Sequence, residues 1–234
     1  MGNHHLKLLF VHVPKTGGTS VKMAMRAHFG AGLIEDYDDH LGDPRFPASF
    51  DRARYLSREQ EPCRIRAEGA AAVVGHLHAA KYATSRFDIR AAVLREPIRR
   101  ALSNYYFWLS GHTSDHPIHN YVVEQGLSFM EYASLPIVNR LYSEVFFDGV
   151  DMGSFEVVAT HDSVSTDWRG LCAQLGIDSP ELHYNSTSEY CGDYRQRVGD
   201  VLADARAMAN LSNIFADDIR FYERHARHRL TMAA

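Results

Sequence analysis

The sequence predicts an α/β fold in which a mostly parallel sheet is covered by helices on both faces. Three observations support this. Short apolar runs rich in strand formers alternate with helix-like segments. Each run is a continuous hydrophobic stretch rather than an alternating one, as expected for strands buried on both faces. Three of the four runs end in unusual polar sequences, Pro14-Lys15-Thr16-Gly17-Gly18-Thr19-Ser20, Gly75-His76-Leu77-His78 and Arg95-Glu96-Pro97. In a parallel sheet such endings converge at the carboxyl edge, where ligands of α/β proteins bind.

The first expected strand spans residues 7–13 and stops at Pro14. A helix follows over 19–29, with Val21, Met23, Ala24, Met25 and Ala27 on its apolar face and Thr19 or Ser20 as cap. Residues 30–66 are polar, contain Pro44, Pro47 and Pro62, and read as loop with short helical pieces. Further strands are expected at 70–75, 89–94 and 155–159. The helix after the third strand opens at Pro97, proline's favoured first position, and runs to 110. Residues 111–120 read as a histidine-rich loop, and 121–147 as short helices broken at Gly126 and Pro136. A helix at 164–175 and one long amphipathic helix over 198–222 complete the chain, which reads as a single domain over 1–234.

The 234 residues are 45% hydrophobic and 23% charged, enough apolar matter for a substantial core. A net charge of -4 offers no global basic field, so nucleic acid is not expected as a partner. Cys63, Cys172 and Cys191 match no metal or redox spacing and read as thiols in a reducing compartment; a Cys63–Cys191 or Cys172–Cys191 disulfide stays open. No apolar run approaches the ~18 residues of a transmembrane segment, and no secretory leader or myristoylation pattern precedes the first strand. The expected localisation is cytoplasmic.

The loop at 14–20 carries the strongest chemical signal. Two glycines let the backbone bring its N–H groups close to an anion. The following helix points its positive end at the same place. Lys15 adds a full charge, and Thr16, Thr19 and Ser20 add hydroxyls. A nucleoside triphosphate loop places its lysine after the last glycine, whereas Lys15 precedes both glycines. The loop is therefore suited to a smaller anionic group than a triphosphate, and no aspartate is obviously placed to hold magnesium. Arg95 at the third strand's end and Ser103 two turns into the next helix form a second anion pair, with charge-assisted bonds of about 1.5–3 kcal/mol each.

These two motifs together resemble sulfotransferases that use 3′-phosphoadenosine 5′-phosphosulfate (PAPS), nearest the carbohydrate 2-O- and 6-O-sulfotransferases and their bacterial relatives. Residues 12–20 look like the family's 5′-phosphosulfate loop and residues 94–106 like its 3′-phosphate element. The resemblance implies a three-layer α/β fold of P-loop-kinase-like topology. It also implies PAPS as donor with PAP as product, no metal, and a carbohydrate, glycolipid or other hydroxyl as acceptor. It assigns Lys15, Thr16, Gly17, Gly18, Thr19 and Ser20 to the 5′ side, and Arg95 and Ser103 to the 3′-phosphate. Lys15 then also serves catalysis, by stabilising charge on the leaving phosphate oxygen.

Relatives acting on sugars carry Gly-His at a strand end, which implies His76 as the base that deprotonates the acceptor hydroxyl, with His78 as the alternative. A histidine base predicts an acid limb of activity near its ordinary pKa. His12 reads as packing or as support for Lys15. His112, His116 and His119 match no ligand set and read as a solvated, acceptor-facing loop. The basic run at 220–229 reads as a solvated helix end. Two other functions are compatible with the loop alone: phosphoryl transfer on the same fold, and non-catalytic nucleotide binding.

Overall fold

In the computed structural model the described residues are 6–37, 67–111, 116–175 and 192–226. Among the described residues five parallel strands form one sheet: β1 (Leu8–Val11), β2 (Leu33–Asp36), β3 (Ala72–Gly75), β4 (Ile89–Leu94) and β5 (Val157–Thr160). Their order is β2-β3-β1-β4-β5. The expected three-layer, P-loop-kinase-like α/β architecture is what forms, because side chains alternate across the sheet and each face finds helices to bury against.

Leu8, Phe10, Ala72, Val74, Ala91 and Val93 point to one face. There they meet Val21, Ala24 and Met25 of α1 (Gly18–Phe29) and Trp168, Leu171 and Cys172 of α6 (Val164–Leu175). Leu9, Val11, Val73, Ala92 and Leu94 point to the other face and join a larger core. It is built by α2 (Pro97–Leu109), α3 (Pro117–Glu124), α4 (Phe129–Ala133), α5 (Pro136–Asn139), a π-helical turn at Leu141–Phe146 and the C-terminal helices. Each large apolar side chain withdrawn from water in these layers contributes about 1.5–3 kcal/mol.

Four expectations are corrected. Leu33–Asp36 is a strand, not loop; it pairs with β3 in register Ile34↔Val73 and Asp36↔Gly75. The long helix over 198–222 is three helices, α7 (Tyr194–Ala203), α8 (Ala205–Ile214) and α9 (Ala216–His225). Asp204 leaves the helical conformation and its carboxylate accepts from the Arg206 and Ala207 N–H groups at 2.9 and 3.0 Å, starting a new helix. The chain bends again at the buried Phe215, yet each restart keeps the same apolar face inward. Third, residues 117–120 belong to α3, so the histidine-rich segment is only partly loop. Finally, α1 begins at Gly18 behind a left-handed Gly17 (φ 92°) with no side-chain cap; Thr19 and Ser20 lie inside its first turn. Most of the 30–66 loop, Cys63, Cys191 and the end of the 220–229 run lie outside the described residues. Among the described residues no helix is long and apolar enough to cross a membrane.

Candidate active site

The register of the sheet sets out the site. Val11 and Asp36 both pair with Gly75. One residue further, at the carboxyl edge, stand His12 after β1, His76 after β3 and Tyr37 after β2. The two-residue period places all three rings on the α1 face, continuing the columns Leu8–Phe10 and Ala72–Val74. The His12 N–H donates to the Gly75 carbonyl at 2.9 Å, which extends the ladder to this row. Ring centroids are 4.6 Å apart for His12–His76 and 4.8 Å for Tyr37–His76, close to the spacing of neighbouring strands. Tyr37 leans across His76, and its hydroxyl lies 2.6 Å from His12 Nδ1.

His76 Nε2 is buried and has no hydrogen-bond partner among the described residues. Burial above all, then the Lys22 ammonium and His116, pull its pKa down from 6.5 to about 3. His12 is lowered well below its ordinary value by burial, His76 and Lys22. Both rings are therefore neutral at physiological pH. His78 is fully buried, and its Nδ1 accepts from the Ala80 N–H at 3.1 Å, capping a 3-10 turn at Ala79–Tyr82.

Beside the row runs the loop joining β1 to α1. Lys15 has φ 65°, a left-handed conformation that costs a non-glycine residue on the order of 1–3 kcal/mol and concentrates at ligand sites. Its ammonium sits 3.9 Å from the centroid of the Phe107 ring, whose face attracts cations. Burial, then Arg95, lower its pKa to about 8. The Thr16 hydroxyl, fully buried, donates to the Val13 carbonyl at 2.9 Å and so braces the loop from within. Gly17 takes the positive φ at the helix start. Gly18 is required for another reason: a Cβ there would lie 2.1 Å from His12 Cδ2.

Arg95 enters from β4, the strand on the other side of β1. Its Nη1 donates to the Lys15 carbonyl at 3.2 Å, so the two anion elements of the sequence meet. Tyr142 grips the Arg95 backbone twice, donating its hydroxyl to the carbonyl at 2.7 Å and accepting the N–H at 3.0 Å. The Asp218 carboxylate of α9 in turn accepts from the N–H groups of Tyr142 and Ser143. Burial raises Asp218 to about 6 despite those bonds. Ser103 lies on the same helix that Glu96 caps and is 1% exposed.

Sequence reasoning missed Tyr37, Lys22, Phe107, Tyr142 and His161. Tyr37 follows an unrecognised strand. Lys22 lies 4.8 Å over the Tyr37 ring and adds positive potential to the row. His161 was within reach of the strand-end rule, since it directly follows β5. Its Cδ2 lies 3.8 Å from where a Gly17 Cβ would stand, and burial, then Arg95, lower its pKa. The expected solvated histidine loop is not what forms at 116–119. His119 is buried, and His116 caps α3 by accepting from the Ile118 N–H at 3.3 Å. His112 lies outside the described residues, among which no cluster of metal-ligating side chains is assembled.

Solved structures similar to this chain include mouse sulfotransferase SULT7A1 complexed with PAP, at 13% identity and TM-score 0.42, covering 97% of this chain and 90% of that one. A sulfotransferase from Alicyclobacillus acidocaldarius is similar at 18% identity and TM-score 0.39, covering 94% and 99%. No family model and no curated protein matches the chain.

Chemically, the edge offers three cations, Lys15, Lys22 and Arg95, around a loop whose helix start has no side-chain cap. It also offers neutral imidazoles at the ends of β1 and β3. Such an arrangement can hold a polyanion and accept a proton beside it.

Proposed function

We propose that this chain is a sulfotransferase that moves a sulfuryl group from PAPS to a hydroxyl of a carbohydrate or glycolipid. The observation that carries the reading is the placement of His76, Lys15 and Arg95 at the ends of adjacent parallel strands β3, β1 and β4. The 5′-phosphosulfate lies against Lys15 and the backbone of residues 16–20, and the 3′-phosphate against Arg95 and Ser103. The acceptor oxygen attacks sulfur in line, forming one S–O bond as the bond to the 5′-phosphate oxygen breaks. The acceptor proton passes to His76, and the leaving oxygen's charge is met by Lys15. A ring held neutral is in the form a base needs, and the donor's negative charge makes it more basic once bound. His78, spent on a backbone cap, is the weaker candidate.

The test is transfer of radiolabelled sulfate from PAPS to a panel of glycans and glycolipids. The expected result is a labelled product that disappears with His76→Ala. Transfer of the γ-phosphate from magnesium ATP, with none from PAPS, would replace this reading by phosphoryl transfer.

A further inference from the structure

The His12 side chain makes one hydrogen bond among the described residues, between Nδ1 and the Tyr37 hydroxyl. The 2.6 Å separation is typical of an O–H donor and short for an N–H donor, whose usual distance is about 2.9–3.0 Å. An imidazole nitrogen is also a stronger acceptor than a phenol oxygen. Tyr37 therefore donates to Nδ1. Its own pKa is pushed well up by burial, so it keeps the proton. Because the His12 ring is neutral, its one N–H is on Nε2.

That nitrogen has no protein partner among the described residues, although His12 is 5% exposed. Its position is informative. A Cβ on Gly18 would lie 2.6 Å from it. Nε2 thus sits against the first residue of α1, where the uncapped helix start and the Lys15 loop present their positive ends. His12 is 5% exposed, so its Nε2–H can be reached from outside, and an oxyanion held in the loop can accept from it.

We infer that His12 is a donor-binding residue whose Nε2–H hydrogen-bonds an oxygen of the oxyanion held by the Lys15 loop, with Tyr37 as the positioning residue that fixes its tautomer. The inference rests on the sulfotransferase reading for the identity of that anion, but its geometry concerns any sulfate or phosphate in the loop. His12 would then act on the donor while its neighbour His76 serves the acceptor, which divides the row by task. Gly18 belongs to the same device, since any side chain there would displace the ring.

The experiment follows the His12 imidazole nitrogens by NMR in the full-length, nitrogen-labelled protein, with inorganic sulfate and PAP as separate probes. Free protein should show a protonated Nε2 and an unprotonated, hydrogen-bonded Nδ1, and both probes should shift the Nε2–H signal. Tyr37→Phe should introduce the other tautomer. In binding assays His12→Leu should weaken PAP about tenfold, and His12→Gln, whose amide N–H reaches a similar position, should stay within about threefold of the original. If His12→Leu fails to fold, the NMR measurements decide alone. Protonation of Nδ1 in the free protein, or an Nε2–H that neither probe moves, would overturn the inference. A shift with sulfate but no binding of PAP would uphold the inference and remove the donor reading. PAP binding with an unmoved Nε2–H would do the reverse.

Discussion

Asp36 and Tyr37 are neighbours at the end of β2, yet they point to opposite faces of the sheet and enter opposite kinds of polar cluster. Asp36 is 1% exposed, and its carboxylate accepts from Lys81 Nζ at 2.8 and 3.0 Å and from the Tyr82 hydroxyl at 2.7 Å. Tyr37 joins His12 and His76, where the buried His76 Nε2 lacks a partner among the described residues. A closed network stabilises the fold, and breaking it leaves an uncompensated buried charge. An open network gains nothing for folding from its missing bonds; it holds them ready for a ligand. Burial alone does not tell the two apart. The count of satisfied atoms does.

Removing the proposed base should give the largest effect on the open side. His76→Ala should lower turnover by about 10²–10⁴ while leaving PAP affinity nearly unchanged, measured by steady-state kinetics alongside calorimetry. A matching loss of PAP affinity would place His76 on the donor instead. On the closed side, Asp36→Ala should cost about 3–5 kcal/mol of stability, seen as a melting temperature lower by about 10 °C. Tyr37→Phe, one residue along, should cost only about 0.5–1.5 kcal/mol. Equal melting temperatures for the two variants would erase the distinction between the clusters.

Lys15→Ala should reduce turnover at saturating PAPS by at least about tenfold, or about 1.4 kcal/mol of barrier, with the melting temperature preserved. The smallest effect is on pH dependence. Lys15 titrates at about 8 in the free protein, so PAP affinity should be flat below pH 8 as far as this group is concerned. Above it, affinity should fall about tenfold per pH unit, with uptake of one proton on binding. Calorimetry in buffers of different ionisation heat measures that proton. For folding the sign is opposite: between pH 8 and about 10.4 the unfolded chain holds the proton more tightly, so this group's contribution to stability rises with pH. His76, lowered to about 3, carries no acid limb of kcat/KM between pH 5 and 8. An ordinary histidine base would instead give a limb near neutrality, so the measured pH profile distinguishes the two.

The sequence made the central strands legible because β1, β3 and β4 are continuous apolar runs with punctuated ends. Their order of polar endings also exposed Lys15, His76 and Arg95. β2 was hidden because Leu33-Ile34-Glu35-Asp36 is short, half-buried and followed by more acidic residues, so no run stands out. With β2 hidden, Tyr37 had no address, and the row read as an isolated His76 beside a packing His12. The helical C-terminus failed for a different reason. Its apolar stripe survives two restarts, and periodicity reports the buried face without reporting the breaks at Asp204 and Phe215. The link from Asp218 through Tyr142 to Arg95 joins residues distant in the chain and leaves no local signal.

The most direct test of the central claim is calorimetric titration of the full chain with PAP, AMP and magnesium ATP under one buffer condition. The proposed placement of a 5′ group on Lys15 and a 3′-phosphate on Arg95 and Ser103 predicts that PAP binds at least about tenfold more tightly than AMP. Magnesium ATP should gain nothing from its extra phosphates. Equal affinities for PAP and AMP, or clear preference for magnesium ATP, would contradict the account.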